Sequence, residues 1–329
     1  MPRSIKKGRK SITIDTIPLI FTTHLACRIS VAISAFMQFP AFFASCAAEV
    51  APEFKLRIER APEASRSLDV FVFSGEPPYL LDSYQQFPAG ESPVYVVSGP
   101  GRKRVVALTS ASGDIYSRAG INRYQDLSKE AFSLLDDSPG SPFSFGECFV
   151  EEGTSRSVSM SLNPLLSSIR VRSVSCDFSG SVYLSSHYHN DNLFLTNAVS
   201  ESCPLGAEGG RPVSWVNYGY NATSHPFLEA EGLGDIGPER KYTNVVFYCY
   251  PNPGGRPPTR LVLEGTVGEK RCYYPINLPV PRSGTRLVLD ISIHRMGTSD
   301  PDSEAVPGTY TLEYSTEPWY ETDTVIQTF

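Results

Sequence analysis

Apolar and polar residues alternate along much of the chain, which is the pattern of β-strands with one buried face. Residues 54–58 alternate in this way, whereas residues 68–73 form a denser apolar run that suits a central strand. The turn residues Gly75, Pro77 and Pro78 then interrupt the pattern. Similar runs predict further strands at 80–87, 94–97, 104–108, 158–162, 169–174, 192–196, 245–250, 259–266, 271–276, 286–294, 308–314 and 324–329.

The segments between these strands predict two hairpins, one helix and one long loop region. Residues 124–135 are predicted to be helical, because Leu127, Ala131 and Leu134 recur at helical spacing. Residues 201–242 are polar and rich in glycine, so we expect surface loops there. The predicted hairpins join 94–97 with 104–108, and 259–266 with 271–276.

Many strands separated by turns, with a single helix, predict a mostly β protein built from antiparallel β-sandwiches. Each half of the chain contains about the number of strands that a seven-stranded sandwich needs. We therefore predict two tandem domains, one at 46–158 with the short helix and one at 159–329. Without residues 1–45 the chain has about 284 residues, enough for two domains of about 150 each.

The N-terminal region has the layout of an export signal. Residues 29–45 contain no charged side chain, basic residues precede them, and Ala44 and Ser45 lead directly to Cys46. This arrangement resembles a bacterial lipoprotein signal, so we predict a signal peptide at 1–45 and a lipid on Cys46. The alternatives are a transmembrane helix or a buried core segment, although the apolar run is slightly shorter than a membrane span.

Charge and cysteine content narrow the possible functions. The net charge is −6 and the pI about 5.5, so the chain offers no basic field for nucleic acid. Five cysteines follow Cys46 without a C-x-x-C pair, so we predict no zinc site. One or two disulfides would be consistent with export. Buried free thiols are an equally good interpretation for Cys249 and Cys272.

Two segments could bind a metal ion, but a simpler interpretation is better for each. His187, His189 and Asp191 would share one face of a strand, yet they lie in a polar region that suits an exposed loop. Residues 297–304 are rich in oxygen donors but lack the spacing of a calcium loop, so a capped turn explains them. Motifs for serine hydrolases, zinc proteases and nucleotide binding are absent. We predict no metal, no cofactor and no enzymatic activity.

Several passages, taken in order, show a family pattern: 68–73 with 81–87, 104–109, 169–178, 193–197, 259–265 with 273–276, and 318–329. They resemble Bacteroidales fimbrillins, the subunits and anchors of type V pili. The resemblance covers nearly all of the chain after Cys46 and depends on pattern and order. It implies a lipoprotein precursor with two transthyretin-like β-sandwich domains, exported to the outer membrane and cell surface.

The resemblance also implies assembly by donor-strand exchange, in which an extended segment of one subunit fills a groove in the next. In such proteins a protease that cuts after an arginine can release an N-terminal strand and open that groove. The candidate donor strand lies at the C-terminus, where an ordinary last strand is the alternative interpretation. The candidate processing sites are Arg57, Arg60 and Arg66, and the candidate donor residues are Val325, Ile326 and Phe329.

We therefore predict a structural subunit or anchor of a cell-surface fimbria that contributes to adhesion. Its expected partners are other fimbrial subunits, the outer membrane through a lipid, and a host protein or glycan. The alternative is a surface lipoprotein that binds glycan or host protein without polymerising. Trp215, Tyr218 and Tyr220 could then form a sugar site, although residues that pack turns would look the same.

Overall fold

The computed structural model describes residues 53–59, 66–90, 94–109, 120–151, 157–180, 187–205, 215–216, 227–252 and 257–319. For 53–59, 215–216 and Ser157 it describes the backbone alone. The predicted signal peptide, at 1–45, and the predicted strand at 324–329 lie outside these ranges. Where helices are described, none is both long enough and apolar enough to cross a membrane.

The first half of the chain contains strands β1 to β9, and all of them except β6 form two facing sheets. The larger sheet is antiparallel, in the order β3-β2-β5-β7-β9, and the smaller has the order β4-β1-β8. The strands are β1 (Glu53–Glu59), β2 (Leu68–Ser74), β3 (Leu81–Phe87), β4 (Val94–Val97), β5 (Lys103–Thr109), β6 (Phe132–Ser133), β7 (Ser144–Val150), β8 (Ser157–Ser161) and β9 (Asn163–Pro164).

Strands β10 to β20 belong to the second half, which also has two main sheets. Their orders are β16-β10-β19-β20 and β15-β11-β17-β18. The strands are β10 (Ser167–Cys176), β11 (Tyr188–Thr196), β12 (Ala198–Val199), β13 (Glu201–Ser202), β14 (Trp215–Val216), β15 (Glu229–Ile236), β16 (Lys241–Cys249), β17 (Arg260–Val267), β18 (Lys270–Asn277), β19 (Thr285–Ile293) and β20 (Tyr310–Pro318).

The prediction of a mostly β fold with sandwich-like sheets is confirmed. Most pairings are antiparallel, but β1 pairs with β8, and β10 with β19, in parallel. The strands change from the sheets of the first half to those of the second between Pro164 and Ser167. The division into domains at 158/159 stays a prediction.

The central strands of the five-stranded sheet, β2 and β5, are buried on both faces. Val70 and Val72 of β2 lie in the core beneath the smaller sheet, whereas Phe71 and Phe73 of the same strand face the other way. There they join an apolar cluster that continues into the second half and includes Leu289. This two-sided burial explains why β2 is a continuous apolar run rather than an alternating one.

The predicted helix at 124–135 is wrong in its length and type. Two short 3₁₀ helices, Tyr124–Lys129 and Leu134–Asp136, occupy the segment, with β6 between them. β6 pairs with β13, and the Leu134 N–H donates to the Ser200 carbonyl at 2.8 Å. Leu127 and Leu134 are therefore buried by contacts with other segments rather than along one face of a helix.

One of the two predicted hairpins is confirmed and the other is wrong. β17 and β18 pair directly and turn at Gly268, whose φ is +62°. β4 and β5 do not pair, because β4 joins β1 and β5 lies between β2 and β7. The burial patterns agree with this, since Val94 and Val96 are buried and Tyr95 is exposed, whereas β5 is buried on both faces.

The predicted loop region 201–242 contains a complete strand, β15, which pairs with β11. The exposed turn predicted around His189 is also a strand, because β11 begins at Tyr188. Tyr188 and Asn190 are buried there, although the surrounding residues are polar. Polar composition alone therefore did not distinguish strands from loops in this region.

Candidate assembly site

The leading strand β1 lies in the middle of the three-stranded sheet. On one side it pairs antiparallel with β4, where Phe54 lies opposite Val96 and Leu56 opposite Val94. On its other side it pairs in parallel with β8, where Ile58 lies opposite Met160. The pairing is staggered: β4 contacts residues 53–56 and β8 contacts residues 55–59.

The floor beneath this sheet is apolar. Val94 and Val96 of β4 are fully buried and Met160 of β8 is nearly so. They pack against Val70 and Val105 of the five-stranded sheet in a core of their own. Burial of each such side chain contributes roughly 1.5–3 kcal/mol. Loss of β1 would therefore leave an apolar slot between β4 and β8, which another strand of suitable shape could fill.

The three predicted processing arginines differ in their surroundings. Arg57 lies inside β1, in register with Ser159 of β8. Arg60 lies outside the described residues. Arg66 precedes β2, and its guanidinium donates to the carbonyls of Ser141 at 2.6 Å and Asp136 at 2.9 Å.

Further contacts hold the Arg66 guanidinium in place. It lies 3.9 Å from the centre of the Phe143 ring and 3.9 Å from Oδ1 of Asp137. Only 17% of the side chain is exposed. Arg66, one of the three candidate processing sites, is therefore part of a packed polar cluster.

Asp137 is the buried centre of that cluster and connects the two halves of the chain. Its carboxylate accepts from the backbone N–H groups of Ser138 and Phe143 at 2.8 and 2.9 Å. The hydroxyl of Tyr250, which follows β16 in the second half, donates to it at 2.9 Å. Burial raises the pKa of Asp137 to about 6, against the opposing effect of these hydrogen bonds and of Arg66.

The histidine segment forms a hydrogen-bonded histidine–aspartate contact on the surface. Nδ1 of His189 lies 2.7 Å from Oδ1 of Asp235, and Nε2 lies 3.8 Å from Oδ1 of Asp191. The hydrogen bond with His189 lowers the pKa of Asp235. Among the described residues, no group of three or more His, Cys, Asp or Glu side chains is arranged to hold a metal ion. The missed partner, Asp235, lies on the polar strand β15.

The oxygen-rich segment 297–304 forms a capped turn beside β18. Thr298 and Tyr273 exchange two backbone hydrogen bonds of 2.9 Å. The Asp300 carboxylate accepts from the N–H of Asp302 at 3.0 Å and from the hydroxyl of Ser303 at 3.2 Å. These bonds satisfy the polar groups locally, in agreement with the interpretation as a turn.

The described cysteines are free thiols. Cys249 and Cys272 are fully buried, as expected for core thiols on strands. Burial raises the pKa of Cys249 to about 12 and that of Cys148 to about 11. Both thiols are therefore poor nucleophiles near neutral pH.

The remaining predicted site residues have no described surroundings. The backbone of Trp215 pairs with Val199 in a two-stranded sheet. The other residues lie outside the described ranges: Cys46, Tyr218, Tyr220, Val325, Ile326 and Phe329.

The fold is shared with solved structures of adhesion proteins and a fimbrilin. A structure assigned as a cell adhesion protein from Bacteroides eggerthii DSM 20697 matches with a TM-score of 0.62 and 17% identity, over 82% of this chain and 96% of that one. One from Parabacteroides distasonis ATCC 8503, assigned likewise, gives 0.58 and 12%, over 82% and 99%. The fimbrilin FimA from Porphyromonas gingivalis W83 gives 0.54 and 11%, over 81% and 96%.

These likenesses confirm the predicted fimbrillin-like fold. The three proteins all come from Bacteroidales, the group named by the resemblance. Neither a protein-family model nor a curated protein matches the chain.

Proposed function

We propose that this protein is a non-enzymatic structural subunit or anchor of a cell-surface fimbria. The observation that carries the proposal is the position of β1 between β4 and β8, above an apolar floor. A strand in this position can be replaced by an extended segment of another subunit, which would restore both the backbone pairing and the apolar cover. The fold shared with a fimbrilin and with adhesion proteins supports the same role.

In this proposal a cut between β1 and β2 frees the slot. Cleavage after Arg57 would require part of β1 to leave its sheet first, and cleavage after Arg66 would require its packed guanidinium to be withdrawn. Proteases need an extended, accessible chain around the residue they recognise. We therefore favour Arg60 among the three arginines.

The C-terminal segment supplies the donor strand in this proposal. Ten residues follow Trp319, enough to extend about 33 Å. Trp319 itself is buried and stacks on Tyr248 with 5.4 Å between ring centres, so the segment starts from a fixed point. Val325, Ile326 and Phe329 are the apolar residues proposed to enter the slot of the next subunit.

The lipid proposed for Cys46 would lie on the same fragment as β1. Glu53 follows Cys46 after only six intervening residues, a distance of at most about 25 Å. Cleavage after Arg60 would release the strand and the lipid together, as a shaft subunit requires. An anchor would keep both and remain at the outer membrane. Binding to a host protein or glycan stays a prediction.

The experiment is treatment of the purified precursor with an arginine-specific protease. We expect the wild-type protein to lose its lipid-labelled fragment and to form a ladder of oligomers on a non-boiled gel. Arg60→Lys keeps the charge but removes the cleavage site, so this variant should stay uncut and monomeric. Arg57→Lys is the matched control and should assemble like the wild type.

Each outcome has a separate meaning. Complete cleavage of the wild type without oligomers contradicts the polymerising role and favours the non-polymerising surface lipoprotein. Cleavage of Arg60→Lys at the wild-type rate contradicts the assignment of the site. Continued lipid labelling of Cys46→Ala contradicts the lipidation site.

A further inference from the structure

At Val97, the outer edge of β4, opposite the edge that pairs with β1, is covered by side chains of β3. Nε2 of Gln85, on β3, donates to the Val97 carbonyl at 2.9 Å, and Oε1 of the same amide accepts from the Val97 N–H at 3.4 Å. The Ser83 hydroxyl donates to the same carbonyl at 2.6 Å. A primary amide carries both a donor and an acceptor, so Gln85 satisfies Val97 as the backbone of a neighbouring strand would.

On the other side of β1, the outer edge of β8 is also in close contact with the five-stranded sheet. A Cβ placed on Gly146 of β7 would lie 2.5 Å from the backbone oxygen of Ser161, at the end of β8. A glycine is required where two backbones approach this closely. β8 is therefore held against β7, much as β4 is held against β3. Neither β4 nor β8 depends on β1 for this contact.

We propose that Gln85 determines where a second copy of this chain can pair with β4. Because its amide occupies the outer edge, an incoming strand can pair with β4 only in the place of β1. Unpaired strand edges otherwise invite edge-to-edge association, and natural sheets protect them. This inference rests on the proposed function, since it specifies the surface that strand exchange would use.

β3 also provides a matched control. Gln86 is the next residue, but its Nε2 donates to Oδ1 of Asp69 at 3.1 Å, away from β4. Gln85→Ala and Gln86→Ala therefore remove the same kind of amide from the same strand, but only the first removes hydrogen bonds to Val97, including the one from its N–H. Both are compared with the wild type as full-length, unprocessed chains, in which β1 is in place.

The first measurement is amide hydrogen exchange at Val97. We expect Gln85→Ala to accelerate it about 3- to 10-fold, the effect of one lost hydrogen bond. The amide of Val96, on the opposite edge facing β1, should keep its wild-type rate. Gln86→Ala should leave both rates unchanged. An unchanged rate at Val97 in Gln85→Ala would show that Gln85 does not protect the Val97 amide.

The second measurement is sedimentation velocity over a range of protein concentrations. We expect Gln85→Ala to self-associate at least about tenfold more tightly than the wild type and Gln86→Ala. Faster exchange at Val97 without tighter association would overturn the exclusion of a second strand. Neither measurement needs protease. A failure to polymerise after cleavage would therefore count against the proposed function and not against the proposed role of Gln85.

Discussion

The first strands of the two halves, β1 and β10, both lie inside a sheet but differ in how completely they are paired with their neighbours. Each has an antiparallel neighbour on one side, β4 or β16, and a parallel neighbour on the other, β8 or β19. Along β10, residues 168–174 are paired on both sides, apart from the bulge at Arg172. Along β1, only Lys55 and Leu56 are paired on both sides.

Polar side chains also link β10 to β19. Arg172 at its bulge donates from Nε to both carboxylate oxygens of Asp290 on β19 at 3.1 Å, and the Ser173 hydroxyl donates to Oδ1 at 2.5 Å. Two inner strands can therefore differ in how completely they are paired. In the proposed assembly, the staggered pairing of β1 would allow its replacement, whereas double pairing and an ion pair fix β10 in the core.

The largest expected effect comes from a substitution on β10 that creates a cavity in the core. Ile169 is fully buried, so Ile169→Ala should lower the free energy of unfolding by about 2–5 kcal/mol. Urea denaturation followed by tryptophan fluorescence would measure this change. Val280→Ala, at a half-exposed position, is the control and should change stability by less than about 0.5 kcal/mol. A loss below about 1 kcal/mol in Ile169→Ala would mean that β10 is no more essential to the core than β1.

The next largest effect is expected for Asp290→Asn, which weakens the polar link between β10 and β19. Hydrogen bonds from Arg172 and Ser173 hold the pKa of Asp290 below its usual value of 3.8. The ionised carboxylate therefore stabilises the folded protein above about pH 4, and this stabilisation is lost as the pH falls below that value. We expect a loss of about 2 kcal/mol at pH 7 that shrinks toward pH 3, measured by urea denaturation.

Glu313→Gln is the matched control for this substitution. Glu313 lies opposite Asp290 on β20 and pairs with Arg240 at 3.8 Å, but both side chains are more than half exposed. Exposed ion pairs contribute little, so its loss should be hardly measurable. Equal losses for the two variants at pH 7 would refute a special role of the Arg172–Asp290 pair.

Strands with strong apolar patterns were predictable from sequence, and polar ones were not. β2 and β19 are dense apolar runs because both of their faces are covered. β15 contains Glu229, Glu231, Gly232 and Asp235, which gave no strand signal, and its pairing with β11 decides its conformation.

The candidate site was predictable in its components but not in its arrangement. The alternation at 54–58 indicated a half-buried strand, yet nothing local indicated a parallel partner about 100 residues later. Likewise, Arg66 matched a processing site by residue type alone. Its contacts with Ser141 and Asp137 depend on how distant loops pack, and sequence periodicity carries no information about that.

The smallest expected effect tests one of the hydrogen bonds between the two halves, from Tyr250 to Asp137, through Tyr250→Phe. Because burial raises the pKa of Asp137 to about 6, the folded protein loses stability as the pH rises from about 4 through 6. Tyr250 stabilises the ionised form, so its removal should raise this pKa further. We expect a loss of about 1 kcal/mol at pH 8 and a smaller one at pH 5, by urea denaturation. Tyr248→Phe, on β16, is the control; a pH-independent loss in Tyr250→Phe would contradict the link to Asp137.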